Sequence, residues 1–146
     1  MLIQIILTLG LILFIILYFI ERKNRGELGL LTNKKKIIEY YIHKIREIEN
    51  AKTDPTEKLE KIRILSKKLF NDYYDLDLNE SYSKIAEFFD KKNLRELKEF
   101  SEIMLKYYYT EEKISEPVIK KLINILKGEV KNIPLKIIRQ ALKMRT

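Results

Sequence analysis

Residues 54–74 read DPTEKLEKIRILSKKLFNDYY, and this stretch decides the helical class of the chain. It opens as a helix does, with a capping acid at Asp54, proline at the first helical position and a carboxylate at Glu57. Apolar residues then recur at helical spacing rather than in the alternation of a strand. They are Leu59, Ile62, Leu65, Leu69 and Tyr73. The stretch therefore predicts an amphipathic helix ending near Tyr74.

The residues before this stretch predict a second helix, from about Asn33 to Ala51. Thr32 is a suitable N-cap, and the apolar positions again have helical spacing. These positions are Ile38, Ile42 (or Tyr41), Ile45 and Ile48. A short connection separates this helix from the next, so we expect the two to form an antiparallel hairpin.

The residues after the stretch predict further helices. The segment from Asp75 to Glu80 is typical of a loop, and Ser81 is placed to cap a short helix. The sequence Asn93-Leu94-Arg95-Glu96 resembles another helix start, for a helix ending near Tyr109. The expected inward residues are Ile85, Phe88 and Phe89 in the first, and Leu94, Leu97, Phe100, Met104 and Tyr108 in the second.

The last third of the chain predicts two more helices. Ser115-Glu116-Pro117 opens one that Gly128 is placed to close, and Pro134 opens a basic one that continues to about Met144. The inward residues of the first are Ile119, Leu122, Ile123 and Leu126. The predicted fold is all-α, with one N-terminal transmembrane helix followed by a small soluble bundle of about five to six helices.

The N-terminal run, residues 1–20, predicts the transmembrane helix. It contains no charged side chain, and about twenty helical residues span the ~30 Å hydrocarbon layer. No basic residue precedes the run and no small-residue cleavage site follows it, so we expect an uncleaved anchor. Arg22, Lys23 and Arg25 follow the span, and Tyr18 and Phe19 fall at its interface with water. The positive-inside rule then places the N-terminus outside and the rest of the chain in the cytoplasm of a single-pass cell-membrane protein.

Composition divides the remainder of the chain. Residues 21–32 form a basic collar in which Gly26 and Gly29 predict a hinge, residues 33–128 form the helical domain, and residues 129–146 form a basic amphipathic helix. Residues 117–146 hold eight basic side chains against Glu129 alone, so +7 of the net charge of +8 lies there.

The basic C-terminal helix has two interpretations. Lys136, Arg139, Lys143 and Arg145 make it a candidate for binding an anionic surface, either membrane lipid or nucleic acid. Alternatively its apolar positions, Leu135, Ile138 and Leu142, pack it onto the domain as an ordinary terminal helix. No RNA- or DNA-binding motif accompanies the basic residues, so nucleic acid is the less supported partner.

Residues 57–127 resemble a small helical domain of unknown function at the cytoplasmic end of membrane-bound transglutaminase-like proteins. The resemblance depends on a long helix, the serine-capped segment Ser81-Tyr82-Ser83-Lys84-Ile85, a helix ending in Tyr107-Tyr108 and a closing amphipathic helix. In that family Pro and Glu usually follow the capping hydroxyl, where this chain has Tyr82, Ser83 and Lys84. The resemblance implies architecture and proximity to a membrane. It implies no activity, because the catalytic transglutaminase-like part is absent from this sequence.

Neither a metal site nor a catalytic site is predicted. The chain has no cysteine, and its one histidine, His43, shares a helical face with Glu39 and Glu47, a pattern more typical of exposed ion pairs than of a metal site. Asp75, Asp77 and Asn79 imitate a calcium loop without its required glycine and final glutamate, so a turn is expected. The four glycines match no phosphate-binding motif. We therefore expect no cofactor and no enzymatic activity.

The tyrosines occur in clusters at 40–41, 73–74 and 107–109, so in each cluster at least one ring must turn away from the apolar stripe. Helix–helix packing or contact with a protein partner explains these rings better than stacking with nucleic acid. The leading hypothesis is a non-enzymatic scaffold that recruits an unidentified protein partner at the cytoplasmic membrane face. The alternative is membrane-tethered binding of anionic lipid or nucleic acid through the basic C-terminal segment.

Overall fold

A computed structural model describes the backbone of residues 2–110 and 112–143, and the side chains of residues 12–22, 34–110 and 112–133. These residues form α1 (Leu2–Asn50), α2 (Pro55–Tyr74), α3 (Tyr82–Lys91), α4 (Arg95–Tyr109) and α5 (Glu116–Lys143). The all-α class predicted from the helical spacing is confirmed. The chain divides into two units, residues 1–37 and residues 38–146.

The first unit consists of the N-terminal part of α1. The helix is continuous from Leu2 to Asn50, so the hinge predicted at Gly26 and Gly29 and the helix start predicted after Thr32 are wrong. A glycine inside a helix costs only about 1 kcal/mol relative to alanine, which the good helix formers around it offset. Among the helices of the described residues, none combines the length and the apolarity required to cross a membrane.

The second unit begins with the hairpin of α1 and α2. The Asp54 carboxylate accepts hydrogen bonds from the backbone N–H groups of Thr56 at 2.7 Å and Glu57 at 3.0 Å, which confirms the predicted cap. These backbone bonds also hold the pKa of Asp54 below its usual value. Tyr41 contacts Asp72 near the end of α2, whereas residue 48 of α1 lies beside Leu65, so the two helices run antiparallel.

The connection between α3 and α4 differs from the prediction. Ser81 caps α3 as expected, since its hydroxyl accepts from the Lys84 N–H at 3.4 Å. Asn93, however, ends α3 instead of capping α4. It has a left-handed backbone with φ of 56°, and the next N–H, that of Leu94, donates to the Phe89 carbonyl at 2.9 Å. Asparagine tolerates this left-handed conformation better than most residues, so it occurs both at the starts and at the ends of helices.

The core of the second unit is centred on Phe70, which is fully buried. Its ring meets Phe89 at 4.9 Å and Phe100 at 5.7 Å between centroids, edge to face in both cases, so α2, α3 and α4 converge there. Most of the predicted inward residues are buried, and those that are only partly buried are Ile38, Ile42, Tyr73, Phe88 and Leu94. Tyr108 is exposed, contrary to the prediction, while Tyr82 is buried without having been predicted.

Helix α5 is longer than predicted, and the helix end at Gly128 and the new helix at Pro134 are both wrong. Gly128 lies between buried residues of the same stripe, Leu126 and Val130, and Ile133 continues the stripe. Packing of this stripe outweighs the local cost of the glycine. The side chains of residues 134–143, and residues 144–146 altogether, lie outside the described residues.

Candidate binding groove

A groove of 380 Å³ lies between two turns of α1 and two turns of α2. Residues spaced three or four apart share a helical face, so each helix contributes one row of side chains. The rows are Tyr40, Lys44, Glu47 and Ile48 from α1, and Lys61, Ile64, Leu65 and Lys68 from α2.

The floor and inner walls of the groove are apolar. Ile48 and Leu65 are buried where the two helices meet. Ile64 is 57% exposed and Tyr40 is 43% exposed, so both present large apolar surface to the groove instead of to the core. Exposed apolar residues are ordinary when scattered singly, but here both line the same concave site.

The rim of the groove carries three lysines, each beside a carboxylate of its own helix. Lys44 Nζ lies 2.7 Å from Glu47 Oε2, and Lys61 Nζ lies 2.6 Å from Glu57 Oε1, each pair within one helix. The hydrogen bond between Lys44 and Glu47 raises the pKa of the ammonium and lowers that of the carboxyl. Exposed pairs of this kind contribute little to stability, so a ligand carboxylate can replace the partner at little cost.

Lys68 is the least engaged of the three lysines. Its Nζ lies 3.5 Å from Asp72 Oδ2, a long contact, and 5.9 Å from the centre of the Tyr40 ring. Asp72 also accepts a hydrogen bond of 2.5 Å from the buried hydroxyl of Tyr41. Because its contact with Asp72 is long and exposed, Lys68 is placed to receive a carboxylate from outside the chain.

A second polar cluster lies inside the unit. The Ser66 and Tyr82 hydroxyls are 2.9 Å apart, and Lys67 donates to the backbone carbonyl of Glu80 while its ammonium lies 4.6 Å from the centre of the Tyr82 ring. Burial lowers the pKa of Lys67 and raises that of Tyr82. Ser66 and Tyr82 are both fully buried, so these hydroxyls bond to each other and are not accessible to a substrate.

The tyrosines at the end of α4 form a third feature. Tyr108 and Tyr109 are exposed, and the guanidinium of Arg63 lies 5.2 Å from the centre of the Tyr108 ring. That guanidinium donates two hydrogen bonds, of 2.7 and 2.9 Å, to the Glu60 carboxylate. These bonds raise the pKa of Arg63 and lower that of Glu60. In the other clusters Tyr40 is exposed, whereas Tyr73 and Tyr74 are both half-buried.

The predicted membrane-interface residues are described in part. Tyr18, Phe19 and Arg22 are exposed on α1, and the two aromatic rings lie edge to face at 6.1 Å. The side chains of Lys23 and Arg25 lie outside the described residues, and the membrane-interface role of all five residues stays a prediction.

The predicted anionic-surface residues also stay a prediction. The side chains of Lys136, Arg139 and Lys143, and the whole of Arg145, lie outside the described residues. Two basic residues earlier in the same segment form ion pairs within the unit. Lys121 Nζ lies 2.5 Å from Glu99 Oε1, and Lys127 Nζ lies 2.6 Å from Glu49 Oε2.

The residues considered for metal binding make ordinary contacts. His43 is exposed, and its Nδ1 lies 3.4 Å from Glu47 Oε1. Asp75 ends α2 in a left-handed conformation, and the Asp77 carboxylate accepts from the Asn79 N–H at 2.8 Å, the geometry of a turn. Across the part of the chain that the structure describes, no three His, Asp or Glu residues are grouped so that they could hold a metal ion.

The groove was not predicted from the sequence, although one signal pointed to it. Ile64 is a large apolar residue outside the stripe that marks the buried face of α2. Such a residue indicates a second apolar contact on the same helix, but its partner row on α1 is known only once the two helices are paired.

The comparisons with known proteins found no relative of this chain: no family model, no curated protein and no solved structure matches it. The resemblance to the cytoplasmic domain of transglutaminase-like membrane proteins therefore stays an interpretation of the sequence pattern.

Proposed function

We propose that this chain is a single-span membrane protein whose helical unit recruits a protein partner at the cytoplasmic face of the cell membrane, without catalysing a reaction. The observation that carries the proposal is the apolar surface of α1. All nine residues from Ile12 to Ile20 are exposed, and every one of them is apolar or aromatic. A continuous run of this kind is costly in water and favourable in a bilayer.

Outside the residues whose side chains the structure describes, the sequence continues the apolar run to residue 1, and about twenty residues match the length of a bilayer span. Residues 1–20 carry no charge, and the first charged side chains, Glu21 and Arg22, follow directly. Arg22 is exposed, and the further basic residues Lys34, Lys35 and Lys36 lie on the same side of the run. This asymmetry of basic residues supports an orientation with the N-terminus outside and the helical unit in the cytoplasm.

The contacts of the ionisable groups support a binding role over a catalytic one. The groups with the most strongly shifted pKa values bond to other side chains within the fold. Burial and the nearby carboxylates of Asp72 and Glu129 raise the pKa values of Tyr41 and Tyr74, and each hydroxyl donates to its carboxylate across two helices. The raised pKa of Arg63 comes from its bonds to Glu60. These groups stabilise the fold, while the groove offers apolar surface and lysines.

Binding of anionic lipid or nucleic acid through residues 117–146 has less support. Lys121 and Lys127 are paired with carboxylates, and the apolar side chains from Ile119 to Ile133 on the same helix are buried in the unit. The described part of this segment therefore favours the interpretation in which α5 packs onto the domain.

Labelling of single cysteines tests the anchor and its orientation directly, because the natural chain has no cysteine. We expect Leu2→Cys to react with a membrane-impermeant maleimide in intact cells, and Lys84→Cys to react only after lysis. The unmodified chain should stay with the membranes after carbonate extraction. Recovery of the chain in the soluble fraction, or labelling of Lys84→Cys in intact cells, would contradict the proposal.

A pair of substitutions isolates the role of the apolar run. Leu13→Glu combined with Ile16→Glu places two charges on exposed positions of α1 and should release the chain from the membrane fraction. Ile64→Glu adds a charge at an exposed apolar position of α2 and serves as the control, which should leave the chain in the membrane fraction.

A further inference from the structure

We propose that the groove between α1 and α2 binds an acidic amphipathic helix of a partner protein, about two turns long. This inference deepens the proposed function and rests on it, since it names the surface and the chemistry by which the chain recruits its partner.

The dimensions of the groove favour a helix. Tyr40 to Ile48 and Lys61 to Lys68 each cover about two turns, which is about 10–12 Å along the helix axis. A third helix laid along two antiparallel helices completes a common packing arrangement and places apolar residues at i, i+3 or i+4, and i+7 against the floor. Ile64 and Tyr40 are the exposed residues that these would cover.

The charge of the rim favours an acidic occupant. Three lysines and one glutamate line the groove, and the lysines make only exposed contacts with carboxylates of their own helices. Carboxylates on a docked helix would meet Lys61 and Lys68 on one wall and Lys44 on the other. Such pairing gives specificity and a faster encounter more than it gives affinity.

The same charges argue against an occupant from this chain itself. A second copy carries a net charge of +8, and the C-terminal segment of residues 117–146 carries +7. Either would bring positive charge to the lysines of the rim, and like charges repel. The chemistry of the groove therefore points to a different, acidic protein.

Peptide binding to the full-length chain in mild detergent tests the proposal. The probe is a fluorescein-labelled synthetic helix of about fifteen residues with leucine at i, i+3, i+4 and i+7 and glutamate on both flanks. One matched peptide has lysine in place of every glutamate, and another has the same composition in scrambled order. Fluorescence anisotropy should detect binding of the acidic helix, weakening as salt rises, and much weaker binding of the other two.

Variants then locate the binding site. Ile64→Glu, and separately Lys61→Glu with Lys68→Glu, should each weaken the acidic peptide at least tenfold, about 1.4 kcal/mol in binding free energy. The matched controls are Leu78→Glu, at an apolar residue that is 52% exposed outside the groove, and Lys84→Glu with Lys91→Glu, both exposed on α3. The controls should change the affinity less than twofold, and circular dichroism should report the same helix content for every variant.

Three results would overturn the proposal. The first is that the acidic, basic and scrambled peptides bind equally well, or that none of them binds. The second is that the groove variants and the controls lose the same amount of affinity. The third is displacement of the peptide by glycerophosphoserine, which would assign the groove to a lipid headgroup. Because this measurement is made in detergent, it does not depend on membrane anchoring. If the chain is found in the soluble fraction but still binds the peptide, the anchor proposal is contradicted and the groove proposal is retained.

Discussion

The hydroxyl of Tyr41 in α1 donates a hydrogen bond of 2.5 Å to Oδ2 of Asp72 in α2. Tyr41 is buried, and its ring lies 6.0 Å from that of Tyr73, so this contact ties the two helices together at one end of the groove. Asp72 is also the carboxylate nearest to Lys68. The same carboxylate therefore joins the two helices and lies beside a lysine of the groove.

Removing the Tyr41 hydroxyl should destabilise the helical unit. We expect Tyr41→Phe to lower the free energy of unfolding by about 1 kcal/mol, since the buried Tyr41 loses its hydrogen bond to Asp72. Tyr40→Phe is the matched control, because the Tyr40 ring is half exposed, and should change the free energy of unfolding by less than about 0.5 kcal/mol. Urea unfolding followed by circular dichroism measures both. Equal effects of the two substitutions would mean that the Tyr41–Asp72 bond does not stabilise the unit.

Stability should fall at alkaline pH. Burial raises the pKa values of Tyr41, Tyr74 and Tyr82 above the ordinary 10.0, and the carboxylates beside Tyr41 and Tyr74 raise theirs further. Above pH 10 the unfolded chain therefore releases these protons before the folded chain does, so the free energy of unfolding decreases as pH rises. The decrease approaches about 1.4 kcal/mol per pH unit for each tyrosine. Burial also raises the pKa of Tyr73, which acts in the same sense as the other three tyrosines, whereas Lys67, whose pKa burial lowers, acts in the opposite sense.

Urea midpoints measured from about pH 8 to about pH 11.5 test this dependence. The midpoint should begin to fall near pH 10. In Tyr41→Phe the free energy of unfolding should fall less steeply with pH, because one tyrosine fewer contributes to the slope. A slope unchanged in Tyr41→Phe would mean that this tyrosine ionises alike in the folded and unfolded chains.

Asn93 should tolerate glycine but not alanine. Its φ of 56° lies in the left-handed region, where a Cβ without a short polar group costs about 1 kcal/mol. Asn93→Ala should therefore lower the free energy of unfolding by about that amount, whereas Asn93→Gly should leave it unchanged or raise it slightly. Thermal unfolding of the two variants side by side measures the difference. The prediction fails if alanine proves as stable as glycine.

Gly128→Ala should stabilise the chain by about 0.5–1 kcal/mol, because alanine is the better helix former. A Cβ at this position would meet only Glu96 Oε2 at 3.9 Å, an ordinary contact, and the backbone there is not left-handed. The urea midpoint of Gly128→Ala against the natural chain is the measurement. Destabilisation would indicate that α5 ends at Gly128 after all.

The features that the sequence predicted well are those that depend on neighbouring residues. Asp54 and Ser81 cap their helices through bonds to N–H groups two or three positions away, so local sequence is sufficient to place both starts. The predictions at Gly26 and Gly128 were wrong because a glycine ends a helix only where packing or backbone hydrogen bonds favour the end. Their backbone lies within continuous helices, and for Gly128 a buried stripe on either side explains why.

The groove could not be predicted because it exists only between two helices. The exposure of Ile64 and the position of Lys68 beside Tyr40 depend on how α1 and α2 are spaced and rotated. Helical periodicity places residues on a face of one helix, but it does not identify which face of the other helix lies opposite.

The three-residue connection at Asn93 also bears on how the helical unit reaches its folded state. Because α3 and α4 are adjacent in the chain and in space, bringing them together closes only a short loop and costs little entropy. Contact of α5 with α2 closes a much longer loop. We expect α3 and α4 to gain protection first in pulse-labelled hydrogen exchange during refolding, with Phe89 and Phe100 forming the surface onto which Phe70 and then α5 assemble. A misfolded chain would then retain this pair of helices longest.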